Sequence, residues 1–366
     1  MMNVKKVISV FKKKIKEINS KKNYLLKKQY IPDILNSINI EVTNICNLKC
    51  KFCAYDKRDL SKVPLKTMDM NLFKNVTNQC IKLGYKNFGL TPVTGDIFMD
   101  KDVEEKIKYL ENLDGLNGFY FYTNFIPIKE EKISNLFNYK KLTHLGLSIY
   151  GHDENTFIKF SKGTINSYRI LLKNLNFLYS KLKTHDYEFQ IEIGHRTSKD
   201  YSLDASSSDL SLVLKKLRSL KNVVYDKNHS FNNWGGMIQE NDVADLNIKF
   251  QKGLTKKNGS CSLIYSRLSI GANGVVNACA CRDANFSLQI GNASNENLSN
   301  IISYNNKRYS DLIESQEKNN FPSVCESCDF YKSIYEKTFP TWAFKKKGVA
   351  YQSLNEVVDR LKKRQI

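Results

Sequence analysis

Long apolar runs are missing from this 366-residue chain; no stretch of 18 or more apolar residues occurs, so nothing reads as a membrane span. Near the start, "VISVF" is too short for the apolar region of a cleavable leader. Histidine is scarce, with five in all and none before His144. No G-x-G-x-x-G follows the first strand-like run, which argues against a dinucleotide fold. Internal repeats and low-complexity linkers are absent too. Acids are outnumbered: 37 Asp and Glu face 57 Lys and Arg, a formal charge of +20. Such a balance suits nucleic acid, an anionic membrane surface or anionic substrates. Lys and Asn are abundant throughout, however, as AT-rich coding produces, and charge runs then read as solvated faces.

What is present is globular: 41% hydrophobic residues and 11% aromatics, in a length that suits one large barrel plus a smaller module. Nine cysteines without a leader point to a reducing compartment, the cytoplasm by default, and to metal or redox use. Residues 1–30 hold ten lysines and one acid, with Val4, Val7, Ile8, Phe11, Ile15 and Ile18 at helical spacing. Residues 1–36 therefore read as a basic amphipathic extension, for peripheral contact with a membrane surface or partner, or for packing on the protein's own body.

From residue 37 short β-branched or aromatic runs alternate with longer helical patterns. The runs are 37–44, 87–93, 118–124, 144–150, 189–195 and 222–228. Strands separated by crossover helices make parallel sheets. Six βα units over 37–237 predict an α/β fold, a partial (β/α)6 TIM-like barrel or a doubly wound sheet. After "NNWGGM" (232–237) the pattern changes. "SRLSIGANGVVNACACRD" predicts a hairpin with a type I′ turn at Asn273-Gly274. Residues 238–335 read as a small α+β cysteine-bearing module, and 336–366 as a helical tail.

Cys46, Cys50 and Cys53 in "EVTNICNLKCKFCAYD" are spaced C-x3-C-x2-C. A structural zinc site is closed by four ligands, so these three need a fourth from afar. A 4Fe–4S cubane takes four thiolates; three leave one iron open. On a loop after the first strand of a βα barrel, this spacing resembles the signature of the radical S-adenosylmethionine superfamily. The resemblance implies a 4Fe–4S cluster whose open iron binds S-adenosylmethionine, and cleavage of that cofactor to a 5′-deoxyadenosyl radical. It also implies an electron donor such as flavodoxin or ferredoxin. Phe52 matches the family's aromatic flanking the cofactor. "TGDIF" (Thr94–Phe98) stands where the family has Gly-Gly-Glu-Pro, so Gly95 and Asp96 fall at the methionine ammonium. Asp is one methylene shorter than Glu, and the first glycine and the proline are missing. Thr123, Asn124 and Ser148 fall at positions facing the ribose or the methionine carboxylate, with Arg196 a candidate clamp for that carboxylate. Each also has a duller reading, as a turn, a cap or a surface ion pair.

A second set reads C-x12-G-x4-C…C-x2-C: Cys261, Gly274, Cys279, Cys325 and Cys328. It resembles the shortened "twitch" version of the SPASM extension, implying an auxiliary 4Fe–4S cluster like that of the 2-deoxy-scyllo-inosamine dehydrogenase branch, where it accepts electrons. A structural zinc on the same thiols is the rival, and Cys281 competes with Cys279. Cys80, in an apparent barrel helix, reads as a buried small hydrophobe. The expected function is two-electron oxidation of a small molecule or sugar. Modification of a peptide is the alternative, for which residues 1–36 are short of a winged peptide-binding domain. A non-catalytic zinc protein binding nucleic acid is the reading from another class. Tyr150, His152, His195 and Trp234 are candidates for the barrel mouth.

Overall fold

In the computed structural model, which describes residues 31–32, 37–250, 257–335 and 351–364, each strand-like run is a strand of one sheet. β1 (Ser37–Ile40), β2 (Asn87–Gly89), β3 (Gly118–Thr123), β4 (Leu142–Tyr150), β5 (Gln190–Arg196) and β6 (Val223–Asn228) lie in chain order, all parallel. The returns run through α1 (Met70–Lys82), α2 (Val103–Glu111), α3 (Glu130–Asn135), α4 (Glu154–Ser161) with α5 (Ile165–Thr184), and α6 (Asp209–Arg218). This is the partial barrel that six βα units predict.

Side chains alternate across each strand. Leu145, Leu147 and Ile149 of β4 and Ile191 and Ile193 of β5 are fully buried in the core, each contributing about 1.5–3 kcal/mol. The core they share includes Leu171, Leu175 and Leu178, the apolar stripe of α5. Alternate residues form the other face: His144, Gly146, Ser148 and Tyr150 of β4, and Glu192, Gly194 and Arg196 of β5. That inner wall is polar. His195, one position from Arg196, falls on the outer face, fully buried, with Nδ1 2.8 Å from the Tyr225 hydroxyl and Nε2 against the Gly151 carbonyl. The expectation that it lines the mouth is wrong by strand parity. His152 also turns outward, stacked on Tyr201 at 4.7 Å.

Sequence reasoning treats the hairpin as part of a separate module, but β7 (Ser269–Ile270) pairs parallel with the free edge of β1, and β8 (Val275–Asn277) and β9 (Gln289–Asn292) follow antiparallel. One nine-stranded sheet results, in the order β9-β8-β7-β1-β2-β3-β4-β5-β6. The hairpin turn is not type I′, which needs two left-handed residues. Gly274 alone has positive φ (+81°), its N–H donates to the Gly271 carbonyl (2.8 Å), and the Gly271 N–H donates to the Val275 carbonyl (2.8 Å). That is a three-residue loop with glycine in the left-handed position. The C-terminal helix α8 (Leu354–Lys363) begins with a capping box of Ser353 and Glu356 and buries Val357 and Leu361. Ile31–Pro32 pairs with Tyr351–Gln352. The basic stripe of residues 1–30 lies outside the described residues. Among the described residues no helix is long and apolar enough to cross a membrane.

Candidate active site

The cysteine triplet follows β1 directly. Asn44 anchors the exit: its Nδ2 donates to the Pro64 carbonyl (2.9 Å) and its Oδ1 accepts from Lys66 N (2.8 Å). Lys49 N and Lys51 N donate to the carbonyls of Ser161 and Phe160, at the end of α4. The Tyr55 hydroxyl accepts from Cys46 N (3.0 Å), and Cys53 N donates to the Cys50 carbonyl (3.0 Å), so residues 46–55 curl into one compact loop. Phe52 is buried among Tyr150 (5.3 Å), Phe231 (4.9 Å) and Phe160 (6.2 Å), and so fastens the loop over the top of β4. Burial pushes all three thiols up, Cys46 to about 12, and Cys53 raises the other two further. Arg196 pulls Cys50 and Cys53 back down. Buried thiols that resist ionising together suit a bound cationic cluster, which holds its ligands as thiolates.

Gly95 and Asp96 lie against this loop. Asp96 N donates to the Ile45 carbonyl (2.9 Å). A Cβ on Gly95 would stand 3.1 Å from the Asn44 and Ile45 backbone, so any larger residue would push the two segments apart by a few tenths of an ångström. The Asp96 carboxylate is fully buried and already engaged: Phe98 N donates to Oδ1 (3.0 Å), Asn124 N to Oδ2 (2.7 Å), and the Thr123 hydroxyl to both (3.1 and 2.9 Å). Burial raises its pKa to about 6 despite these donors. In this geometry Asp96 ties the β2 loop to the end of β3 and caps the turn Ile97–Met99. Asn124 extends the link, its Nδ2 donating to Asn47 Oδ1 (2.8 Å) in the cysteine loop. On the inner wall, Ser148 registers beside Gly194, and the Arg196 guanidinium lies 6.0 Å from the Tyr150 ring.

The second set also comes together. Cys261, Cys279, Cys281, Cys325 and Cys328 line one cavity. Gln316 of α7 (Lys307–Glu317), fully buried, accepts from Cys261 N (2.8 Å) and donates to Cys325 Sγ (3.3 Å). Backbone N–H groups of Cys281 and Phe330 point at the sulfurs of Cys279 (3.4 Å) and Cys328 (3.3 Å). Sulfur acceptors with such donors suit ligand thiolates. Burial pushes Cys261 up to about 12, whereas a hydrogen bond with Cys279, then Arg267 and Arg282, hold Cys281 at about 6. Both Cys279 and Cys281 therefore remain ligand candidates by position. Among the described residues no group of three or more His, Cys, Asp or Glu converges on a single-ion geometry. Cys80, by contrast, is fully buried in the apolar core of α1.

The two cysteine sites are coupled structurally. Glu41, at the end of β1 and buried, accepts from Val93 N (3.0 Å) beside the TGDIF segment and from Ala272 N (3.4 Å) in the hairpin. Asp59 N donates to Asn285 Oδ1 (2.9 Å), and Val63, Val93 and Phe286 form a small apolar cluster at the join. The Arg282 guanidinium stacks on Phe330 (4.2 Å) and Trp234 (5.0 Å), and its charge opposes the upward push that burial gives both Cys53 and Cys328. Trp234 is thus part of this join. Glu41, Tyr55, Gln316 and Arg282 carry no spacing signal; Glu41 alone had a hint, as an acid inside an apolar run.

Residues 40–187 match the model of the radical SAM superfamily, and residues 261–329 match that of an iron–sulfur cluster-binding domain. No curated protein sequence matches the chain. Among solved structures, BtrN in complex with AdoMet and 2-DOIA is similar (TM-score 0.53, 15% identity, 84% of this chain and 98% of that one). So is SuiB of Streptococcus suis bound to the precursor peptide SuiA (TM-score 0.54, 15% identity, 85% and 73%). At this identity the likeness is one of fold. The matched domains imply a 4Fe–4S cluster with S-adenosylmethionine and auxiliary iron–sulfur, and both cysteine sets have the donor chemistry for them. Residues 40–187 are therefore a radical SAM superfamily domain, followed at residues 261–329 by an iron–sulfur cluster-binding domain.

Proposed function

We propose that this chain oxidises a small molecule or sugar by two electrons, with Cys46, Cys50 and Cys53 holding the S-adenosylmethionine-binding cluster. Cys261, Cys279, Cys325 and Cys328 hold the auxiliary one. Bound cluster and cofactor supply a 5′-deoxyadenosyl radical, for which flavodoxin or ferredoxin provides the electron. The protein's part is to bind, orient and exclude water. Phe52 and Tyr150 close the top of the wall, Arg196 offers a guanidinium to the methionine carboxylate, and Asn124 with Ser148 supplies polar contacts. Residues 37–237 are the barrel unit and 238–335 the auxiliary unit. Carrying the proposal is the coupling of the two cysteine sites through one sheet, Glu41 and Arg282. An electron acceptor built onto the reaction chamber suits net oxidation. The fold likeness to a SuiB–peptide complex supports peptide modification as the second reading.

The test is the ratio of oxidised product to 5′-deoxyadenosine after Cys325 and Cys328 are both replaced by Ala. Electron acceptance predicts that 5′-deoxyadenosine still forms while product falls away. A purely scaffolding role predicts that both fall together with folded protein, because cluster binding there is folding free energy. An unchanged ratio in folded double variant refutes the oxidation reading.

A further inference from the structure

On the inner wall of the half-barrel, the missing side chain of Gly194 opens a hollow between Glu192 and Arg196. Along β5 the inward residues are Glu192, Gly194 and Arg196; along β4 they are His144, Gly146, Ser148 and Tyr150. Arg196 lies four steps along the strand from Glu192, which at about 3.3 Å per step is roughly 13 Å of wall. Between them Gly194 leaves space: a Cβ there would meet only the Leu147 carbonyl at 3.8 Å and Arg196 Nη1 at 4.0 Å. Gly146 is different, because the Tyr122 ring lies flat on it, and a Cβ would stand 2.0 Å from that ring. Tyr122 is thereby held across the floor.

The floor is a polar cluster outside everything assigned above. The Tyr122 hydroxyl donates to Glu192 Oε2 (3.0 Å). His144 Nε2 lies 3.4 Å from the same oxygen, and its ring packs 5.3 Å from Tyr122 and edge-on to Tyr120 at 6.5 Å. Glu192 and His144 keep side-chain exposures of 28% and 19%, although His144 Nε2 is itself buried, so Glu192 is the more accessible of the pair. Burial pushes the His144 imidazole below its usual range, with Glu192 opposing the shift. A partly exposed carboxylate beside the Tyr122 ring, with the open position of Gly194 next along the wall, suits a hydroxylated ring. Aromatic faces take its C–H surface, and the charged groups take its hydroxyls.

We infer that Glu192, steadied by Tyr122 and backed by His144, binds a hydroxyl of a cyclitol or hexose-like ring in this hollow and receives its proton. The inference rests on the oxidation reading for the proton step alone. An alcohol becoming a ketone loses two hydrogens: two protons and two electrons. The adenosyl radical removes one proton and one electron together as a hydrogen atom from carbon, and the auxiliary cluster takes the second electron. One hydroxyl proton is left over. The Glu192–His144 pair is the acceptor the inner wall provides, the carboxylate receiving it and the imidazole sharing it.

Binding and chemistry are tested separately on reconstituted protein with S-adenosylmethionine. Saturation-transfer NMR with myo-inositol and glucose as probes measures binding in wild type, Glu192→Leu and Glu192→Gln, with iron content and circular dichroism confirming the fold. Expected is binding of at least one probe by wild type and a loss of tenfold or more in Glu192→Leu. For a bound probe that wild type oxidises, Glu192→Gln should lower product per 5′-deoxyadenosine at least tenfold. His144→Gln should do so less. No binding of either probe by wild type, or equal binding by folded Glu192→Leu, overturns the site. An unchanged product ratio in Glu192→Gln overturns the proton step. Glu192-dependent binding without oxidation by wild type supports the site while refuting the oxidation reading.

Discussion

Replacing Asp96 by Ala and by Asn separates two roles for this carboxylate. Three buried donors converge on it: Phe98 N, Asn124 N and the Thr123 hydroxyl. Ala leaves all three bare, whereas the single oxygen of Asn can keep two. Both variants remove the buried charge, so whatever relief that brings is common to them and drops out of the comparison. The difference is then two orphaned donors at about 1–3 kcal/mol each, or about 2–6 kcal/mol by which the Ala variant is less stable. Urea or thermal unfolding measures it, with S-adenosylmethionine affinity measured alongside. Were the carboxylate instead the partner of the methionine ammonium, Ala and Asn would lose affinity alike, by about 1.5–3 kcal/mol, and match in stability. Equal stability of the two variants would refute the assignment of Asp96 as a structural tie.

Lys106 is fully buried, its Nζ 2.5 Å from Asp100 Oδ2 and from the Met68 carbonyl; Lys106→Met should cost about 3–5 kcal/mol in denaturant unfolding, and adding Asp100→Asn should recover most of it. A double variant as unstable as the single one counts against the buried pair. Burial raises Glu41 from 4.5 to about 7, so the folded state holds its proton more tightly than the unfolded chain does. That contribution is complete below pH 4.5 and lost as pH rises through 7; relative to Glu41→Gln, wild type should lose about 3 kcal/mol across that window. A pH-independent difference refutes it. Iron analysis should find about eight irons per chain, and Cys46→Ala should abolish S-adenosylmethionine cleavage while leaving the auxiliary cluster's spectrum; stoichiometric zinc without iron would contradict both cysteine assignments.

Local chemistry was enough for the barrel and for the cysteines. Period-two runs between helical stretches specify parallel strands with crossover returns, because no shorter connection joins parallel neighbours. The triplet within 46–53 needs no tertiary information to be read, since its three ligands share one loop. Even the scattered second set was legible, through Gly274, whose left-handed turn brings the two arms of the hairpin together. Other features depend on residues far apart in the chain. The pairing of β7 with β1 joins positions 230 residues apart, and nothing in Ser269–Ile270 announces which edge it will take. Glu41 and Arg282 matter through partners 48 or more residues away, and Gln316 ties Cys261, 55 residues back, to Cys325, nine ahead; no spacing rule reaches them. Asp96 sits where the family motif puts an acid, yet its oxygens are taken by donors 2 to 28 residues away. Strand parity decided the rest: His195 and Arg196 are neighbours in sequence, but alternation sends one into the outer core and the other to the inner wall. Sequence names the donor types; only the assembled sheet determines which of them face one another.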